Sequence, residues 1–136
     1  MSDASIRTAA ILLIAVPAVE IGGLSLLALI AGKLPGYLDN PVRQSLFRAG
    51  HAHAGVWIIF ALVGMLYVDQ AELSPTLANV VRIGFGAAPI LAPLGFFLSV
   101  LPNRAERPNA VITLVYLAGL ALAVATVTLG VGLLRA

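Results

Sequence analysis

The 136-residue chain has no cysteine, and only 10% of its residues are charged. The missing cysteine excludes disulfides, thiolate metal ligands and a sulfur nucleophile. The scarcity of charge excludes an ordinary soluble domain, in which about 25% of residues are charged and about 45–50% apolar. Here 60% are hydrophobic, and the mean hydropathy is +1.02. A dispersed net charge of +2 gives no basis for nucleic-acid binding. What is present is a membrane composition in a length that suits one domain. The first apolar block has no compact basic segment before it and is too long for a signal-peptide core, so it is expected to be a retained span.

Proline, glycine and asparagine divide the apolar sequence into four blocks. The first runs from about residue 6 to 31 and is broken by Gly32, Pro35 and Gly36. Asp39-Asn40-Pro41 opens the second, with Asn40 as cap and Pro41 in the first turn, where a missing N–H costs nothing. That block extends to about residue 68, and its first turns, with Arg43 and Arg48, are amphipathic enough to lie in the headgroup zone with both arginines reaching lipid phosphates. Ser74-Pro75 repeats the signal for a third span over about 75–101, and Pro108-Asn109 opens a fourth over about 108–134. Short loops make neighbouring spans antiparallel, so the expected fold is an all-α integral membrane bundle of four helices running up-down-up-down. Lys33, Arg43, Arg48, Arg104 and Arg107 fall on the side of loops one and three, against Arg7, Arg82 and Arg135 on the other. The positive-inside rule then sets the chain in the cytoplasmic membrane with both termini outside. Arg82, seven residues into span three, is expected to reach the outer interface or pair with Asp69 or Glu72.

The unusual residues gather at one depth. At a rise of about 1.5 Å per residue, His51 and Glu20 both stand roughly 16 Å along their helices from the same face. Pro89 and Pro93 of span three, and Tyr116 and Gly119 of span four, count to about the same height. A carboxyl at mid-membrane resists insertion by about 2.5–3.5 kcal/mol. Glu20 is therefore expected to face the bundle interior, partnered by a histidine, or to be protonated. Each internal proline leaves the carbonyl four residues earlier without its donor: Leu13 for Pro17, Phe85 for Pro89, and Pro89 for Pro93.

The chain's two histidines, His51 and His53, are separated by one alanine. Positions i and i+2 point about 200° apart on a helix, so the two rings cannot hold one ion together. His53 shares a face with Trp57 and Phe60, and His51 with Arg48, Gly55 and Ile58. His51-Ala52-His53 resembles the H-x-H helix of the heme-copper oxidase and nitric-oxide reductase large subunit, where two such rings serve two hemes. The resemblance implies a heme b bound by His51 or His53, with Ala49, Gly50, Ala54 and Gly55 leaving room beside it; a divalent metal on one of the two rings is the other cofactor expected. Ala18-Val19-Glu20-Ile21-Gly22 is similar to the first helix of the small multidrug-resistance exporters, which implies a proton-exchanging Glu20.

The resulting expectation is an intramembrane site of Glu20, His51 and His53 performing acid/base or redox chemistry on a lipophilic small molecule. Glu20 and one histidine would exchange a proton, and the other histidine would bind a cofactor or a polar group of the substrate. Trp57 and Tyr116 are further cofactor-binding candidates. The alternatives are a proton-coupled small-molecule transporter, and an accessory subunit of a larger membrane complex in which the polar residues only join helices. A homodimer in the bilayer is the expected assembly, since Glu20, the one acidic residue counted to mid-membrane, lies off the bundle axis.

Overall fold

The computed structural model describes residues 1–32 and 36–136. Lys33 and Pro35, used above for the charge count and the first break, lie outside the described residues. The chain forms four helices: α1 (Asp3–Ile30), α2 (Pro41–Val68), α3 (Pro75–Ser99) and α4 (Thr113–Arg135). All four are long and apolar enough to cross a membrane. The boundaries follow the capping chemistry. Asn40 Oδ1 accepts from Arg43 N at 3.0 Å, Ser74 Oγ accepts from Leu77 N at 3.3 Å, and Pro41 and Pro75 occupy the first turns. Ser2 caps α1, so that helix starts before Ile6. Asn109 Oδ1 accepts from Val111 N at 2.8 Å, but the turn it opens, Ala110–Ile112, is 3-10, and regular helix begins only at Thr113. Gly32 and Gly36 hold φ of +72° and +75° in the first turn, where a side chain would be strained.

The helices pack in chain order. α1 lies against α2 and only lightly against α3, α2 against α3, and α3 against α4, while α1 and α4 do not meet among the described residues. α2 and α3 are therefore central, and α1 and α4 flank them. Two apolar cores result. One, toward the end that carries both termini, joins Leu12, Ile58, Met65, Val81, Phe85 and Leu129. The other, at the loop end, joins Leu26, Leu29, Tyr37, Phe47 and Val100. The stretch of α2 from His51 to Ala54 lies between them.

Polar clamps close both ends. At the loop end Arg43 is buried, with 6% of its surface exposed. Its guanidinium donates from Nε to Val100 O (3.0 Å), from Nη1 to Gly36 O (2.7 Å) and from Nη2 to Leu101 O (3.2 Å). It also lies 4.9 Å from the centre of the Phe47 ring. The expectation that Arg43 reaches lipid phosphates is thus corrected: three loop carbonyls lack helical donors, and a five-donor fork satisfies them. Arg48 remains exposed and bonds only Gln44, at 3.4 Å.

At the other end Arg82 Nη2 meets Asp69 Oδ1 at 2.7 Å, as expected. Ser2 N, Ser2 Oγ and Ser5 Oγ also donate to the Asp69 carboxylate. Partial burial raises the Asp69 pKa, but the hydrogen bonds from the Ser2 backbone and hydroxyl, Arg82 and Ser5 outweigh it and hold the carboxyl well below the usual range. A depressed pKa adds stability that is full above the unfolded value of about 4 and is lost as pH falls from there through the folded value. Melting of the wild type and of Asp69→Asn in detergent should therefore differ by a constant amount at neutral pH. The difference should shrink only below about pH 4.

Candidate functional site

The H-x-H pair is split by the helix that carries it. His51 turns to α1, where the glycine pair Gly22-Gly23 makes room for its ring. A Cβ built on Gly23 would stand 3.1 Å from His51 Cε1 and 3.3 Å from Nε2, and one on Gly22 would stand 3.6 Å from Nδ1. His53 turns to α3, with its ring centre 5.0 Å from Phe96 and 5.0 Å, edge-on, from Trp57. Its Nδ1 lies 2.7 Å from Ala49 O. A carbonyl only accepts, so Nδ1 carries a proton, and in a neutral ring Nε2 is then the nitrogen that keeps its lone pair.

Beside His51, α1, α2 and α3 enclose a cleft of about 350 Å³. Its wall is apolar: Leu12, Ala15, Ala18 and Val19 from α1, Ala54 and Ile58 from α2, and Ile90, Leu94 and Phe97 from α3. Pro89 and Pro93 also line it, on a helix that continues through both. His51 is its sole polar side chain. The small residues of α1 create the hollow, because Ala15, Ala18 and Gly22 lie on the face turned toward α3 and cannot fill it. The half-buried imidazole makes no hydrogen bond with any described residue, so its nitrogens are available to a molecule in the cleft.

Glu20 does not join this group. It is exposed on the flank of α1, forms no ion pair with a described residue, and does not line the cleft. The expectation of an inward carboxyl paired with histidine is corrected. The inward stripe of α1 repeats at Ser5, Leu12, Val19 and Leu26, and Glu20 is rotated about 100° from Val19. Ser25, a possible partner of that carboxyl, donates instead to Ile21 O at 2.8 Å. Tyr116 stands near the height of Pro93 but is 72% exposed and turned away from the bundle. Trp57 belongs to the His53 side and does not line the cleft.

Of the five residues singled out, His51 alone reaches the hollow; Pro89 and Pro93 meet it there. Sequence reasoning missed Gly22-Gly23 as its seat and Phe97 as part of its wall. The available signal was a glycine pair at the same depth as a histidine on the next helix. Among the described residues, no group of three or more His, Asp or Glu side chains gathers as a metal centre would. Comparisons with protein-family models, curated proteins and solved structures find no match to this chain.

Proposed function

We propose that this multi-pass protein binds a lipophilic small molecule within the membrane, in the cleft between α1, α2 and α3, and that His51 is the group that recognises it. The observation that carries the reading is the single unbonded imidazole facing an otherwise apolar hollow. Its volume of about 350 Å³ falls at the small end of ligand pockets, which span about 300–1,000 Å³. A ring bearing one or two carbonyl or hydroxyl oxygens, as in a quinone or quinol, matches that chemistry. A neutral imidazole donates to a carbonyl from one nitrogen and accepts from a hydroxyl at the other. It can also exchange the proton that such a hydroxyl carries. Glu20 takes no direct part in this reading. Its place on the outer flank of α1 makes it a group for a second copy in the bilayer to cover.

Titration of the detergent-purified protein with decylubiquinone, read by quenching of Trp57, tests this. Saturable quenching is expected, weakened about tenfold in His51→Ala, the worth of one good hydrogen bond. It should be lost in Ala18→Phe, which fills the cleft, and be unchanged in Glu20→Gln. Equal affinity in His51→Ala and wild type overturns the assignment.

A second reading is favoured by the His53 ring, whose Nδ1–H is held by Ala49 O so that Nε2 is presented as a ligand. In that reading His53 would hold a heme b or a divalent metal through Nε2. A visible spectrum with metal analysis decides: a Soret band or stoichiometric metal lost in His53→Ala supports it, and a colourless, metal-free protein overturns it.

A further inference from the structure

A second hollow, of about 550 Å³, lies between α1 and α3 at the end that carries both termini. It exists because α4 packs on α3 without reaching α1. Its lining is ordered by depth. Along α1, Asp3, Arg7 and Ile11 line it at four-residue spacing, each about 6 Å deeper than the last. Along α3, Asn79 comes first, then Arg82, then Gly86 and Ala87. An acid and an amide thus stand at the lip, where the Arg82 guanidinium reaches Ser2 and Ser5, with the Arg7 guanidinium below and apolar surface below that.

The charged groups are only partly committed. Arg82 uses Nε on Ser5 and Nη2 on Ser2 and Asp69, and its Nη1 bonds no described residue. Arg7 and Asp3 are both exposed, and although one turn apart they form no ion pair with each other. The hollow therefore offers an unpaired carboxylate outside an unpaired guanidinium, above an apolar wall formed by Ile11 and Ile83.

We propose that this hollow seats an ethanolamine phospholipid of the surrounding bilayer. The order of groups in such a lipid, from water inward, is ammonium, phosphate diester, acyl chain. It matches the order along α1 of Asp3, then Arg7, then Ile11. The primary ammonium donates hydrogen bonds to the Asp3 carboxylate, and the phosphate oxygens accept from Arg7, from the free Nη1 of Arg82 and from the Asn79 amide. A choline headgroup has no N–H to donate. A glycerol headgroup leaves a net anion beside Asp3 and has no cation to offset it.

The inference is independent of the His51 cleft. Its test uses the full chain in phosphatidylcholine vesicles, with phospholipids spin-labelled on the acyl chain. The fraction of label immobilised by the protein is compared for ethanolamine, choline and glycerol headgroups on identical chains. Ethanolamine lipid is expected to associate about three- to fivefold more strongly than choline lipid, the scale of an exposed ion pair. Arg7→Gln should weaken the association of both lipids, which share the phosphate, whereas Asp3→Asn should remove the preference over choline. Asp3→Asn should bring the glycerol lipid level with or above the ethanolamine lipid. Neither side chain bonds another described residue, so both variants should keep wild-type helicity, and His51→Ala should leave the preference intact. Equal association of the three headgroups, stronger association of the glycerol lipid with the wild type, or a preference over choline that survives Asp3→Asn overturns the proposal.

Discussion

Replacing Gly84 with leucine should detach α4 from the bundle, the largest loss of stability expected from any single substitution in this chain. A Cβ at Gly84 would stand 2.7 Å from the carbonyl oxygen of Ala121 and 2.8 Å from the Ala125 Cβ. The first is backbone, so α4 must shift as a body. Gly95, three turns along the same face, is in the same position: a Cβ there would stand 2.9 Å from Val115 N. In lipid there is no hydrophobic drive to hold helices together, and close backbone approach through small residues supplies the attraction. Overpacking costs about 1–3 kcal/mol where a side chain can yield, and more is expected where only a helix can move. Even Gly84→Ala should lose stability, although alanine is the better helix former by about 1 kcal/mol. Gly119, on α4, has nothing within 4 Å of its notional Cβ, so Gly119→Ala should gain up to about 1 kcal/mol. Unfolding in mixed detergent micelles should rank the variants as Gly119→Ala, wild type, Gly84→Ala and Gly84→Leu, from most to least stable. A Gly84→Leu protein as stable as wild type would show that the α3–α4 contact is looser than the structure has it.

Arg43→Met should open the loop end of the bundle, at a cost of about 2–4 kcal/mol. The methionine would occupy much of the same volume against Phe47, so the loss isolates the guanidinium. Removing it leaves the carbonyls of Gly36, Val100 and Leu101 without their donor, and an unsatisfied buried acceptor costs about 1–3 kcal/mol before water reaches it. Lysine should rescue less than half of this, because one ammonium cannot face three carbonyls in the directions that Nε, Nη1 and Nη2 serve. Two readouts check this: the unfolding midpoint, and protease cleavage in the Pro102–Pro108 loop, which Asn40 also ties down by donating to Asn103 O and Ala105 O. A lysine variant matching wild type in both would show that charge alone, and not the fork, holds the loops.

The four spans, their caps and their antiparallel order were legible because proline, serine and asparagine mark helix starts whatever the solvent. Depth was legible too, since rise per residue is fixed; it set His51 and Pro93 at one height. Rotation was not. In a soluble protein the polar face points outward and fixes how a helix is turned. In a membrane both faces are apolar, so for α1 the one strong polar cue was Glu20, and it pointed inward. Residue size decides instead: Gly22-Gly23 admits the His51 ring, which sets the inward stripe and leaves Glu20 on the flank. The same blindness applied to Arg43, whose partners are backbone carbonyls that carry no mark in the sequence. Arg82 was legible because its partner, Asp69, is a side chain of opposite charge.

Because each helix touches mainly its neighbours in sequence and α1 and α4 do not meet among the described residues, the contacts among α1, α2 and α3 need not wait for the last helix to arrive. During synthesis α2 finds α1 already in the bilayer, α3 docks on α2, and α4 docks on α3, each step closing a short loop. The last step depends on Gly84 and Gly95 alone among the glycines that face α4. A released chain that ends before Thr113 should therefore already carry a helix trio with its His51 cleft formed, since no residue lining that cleft comes from α4.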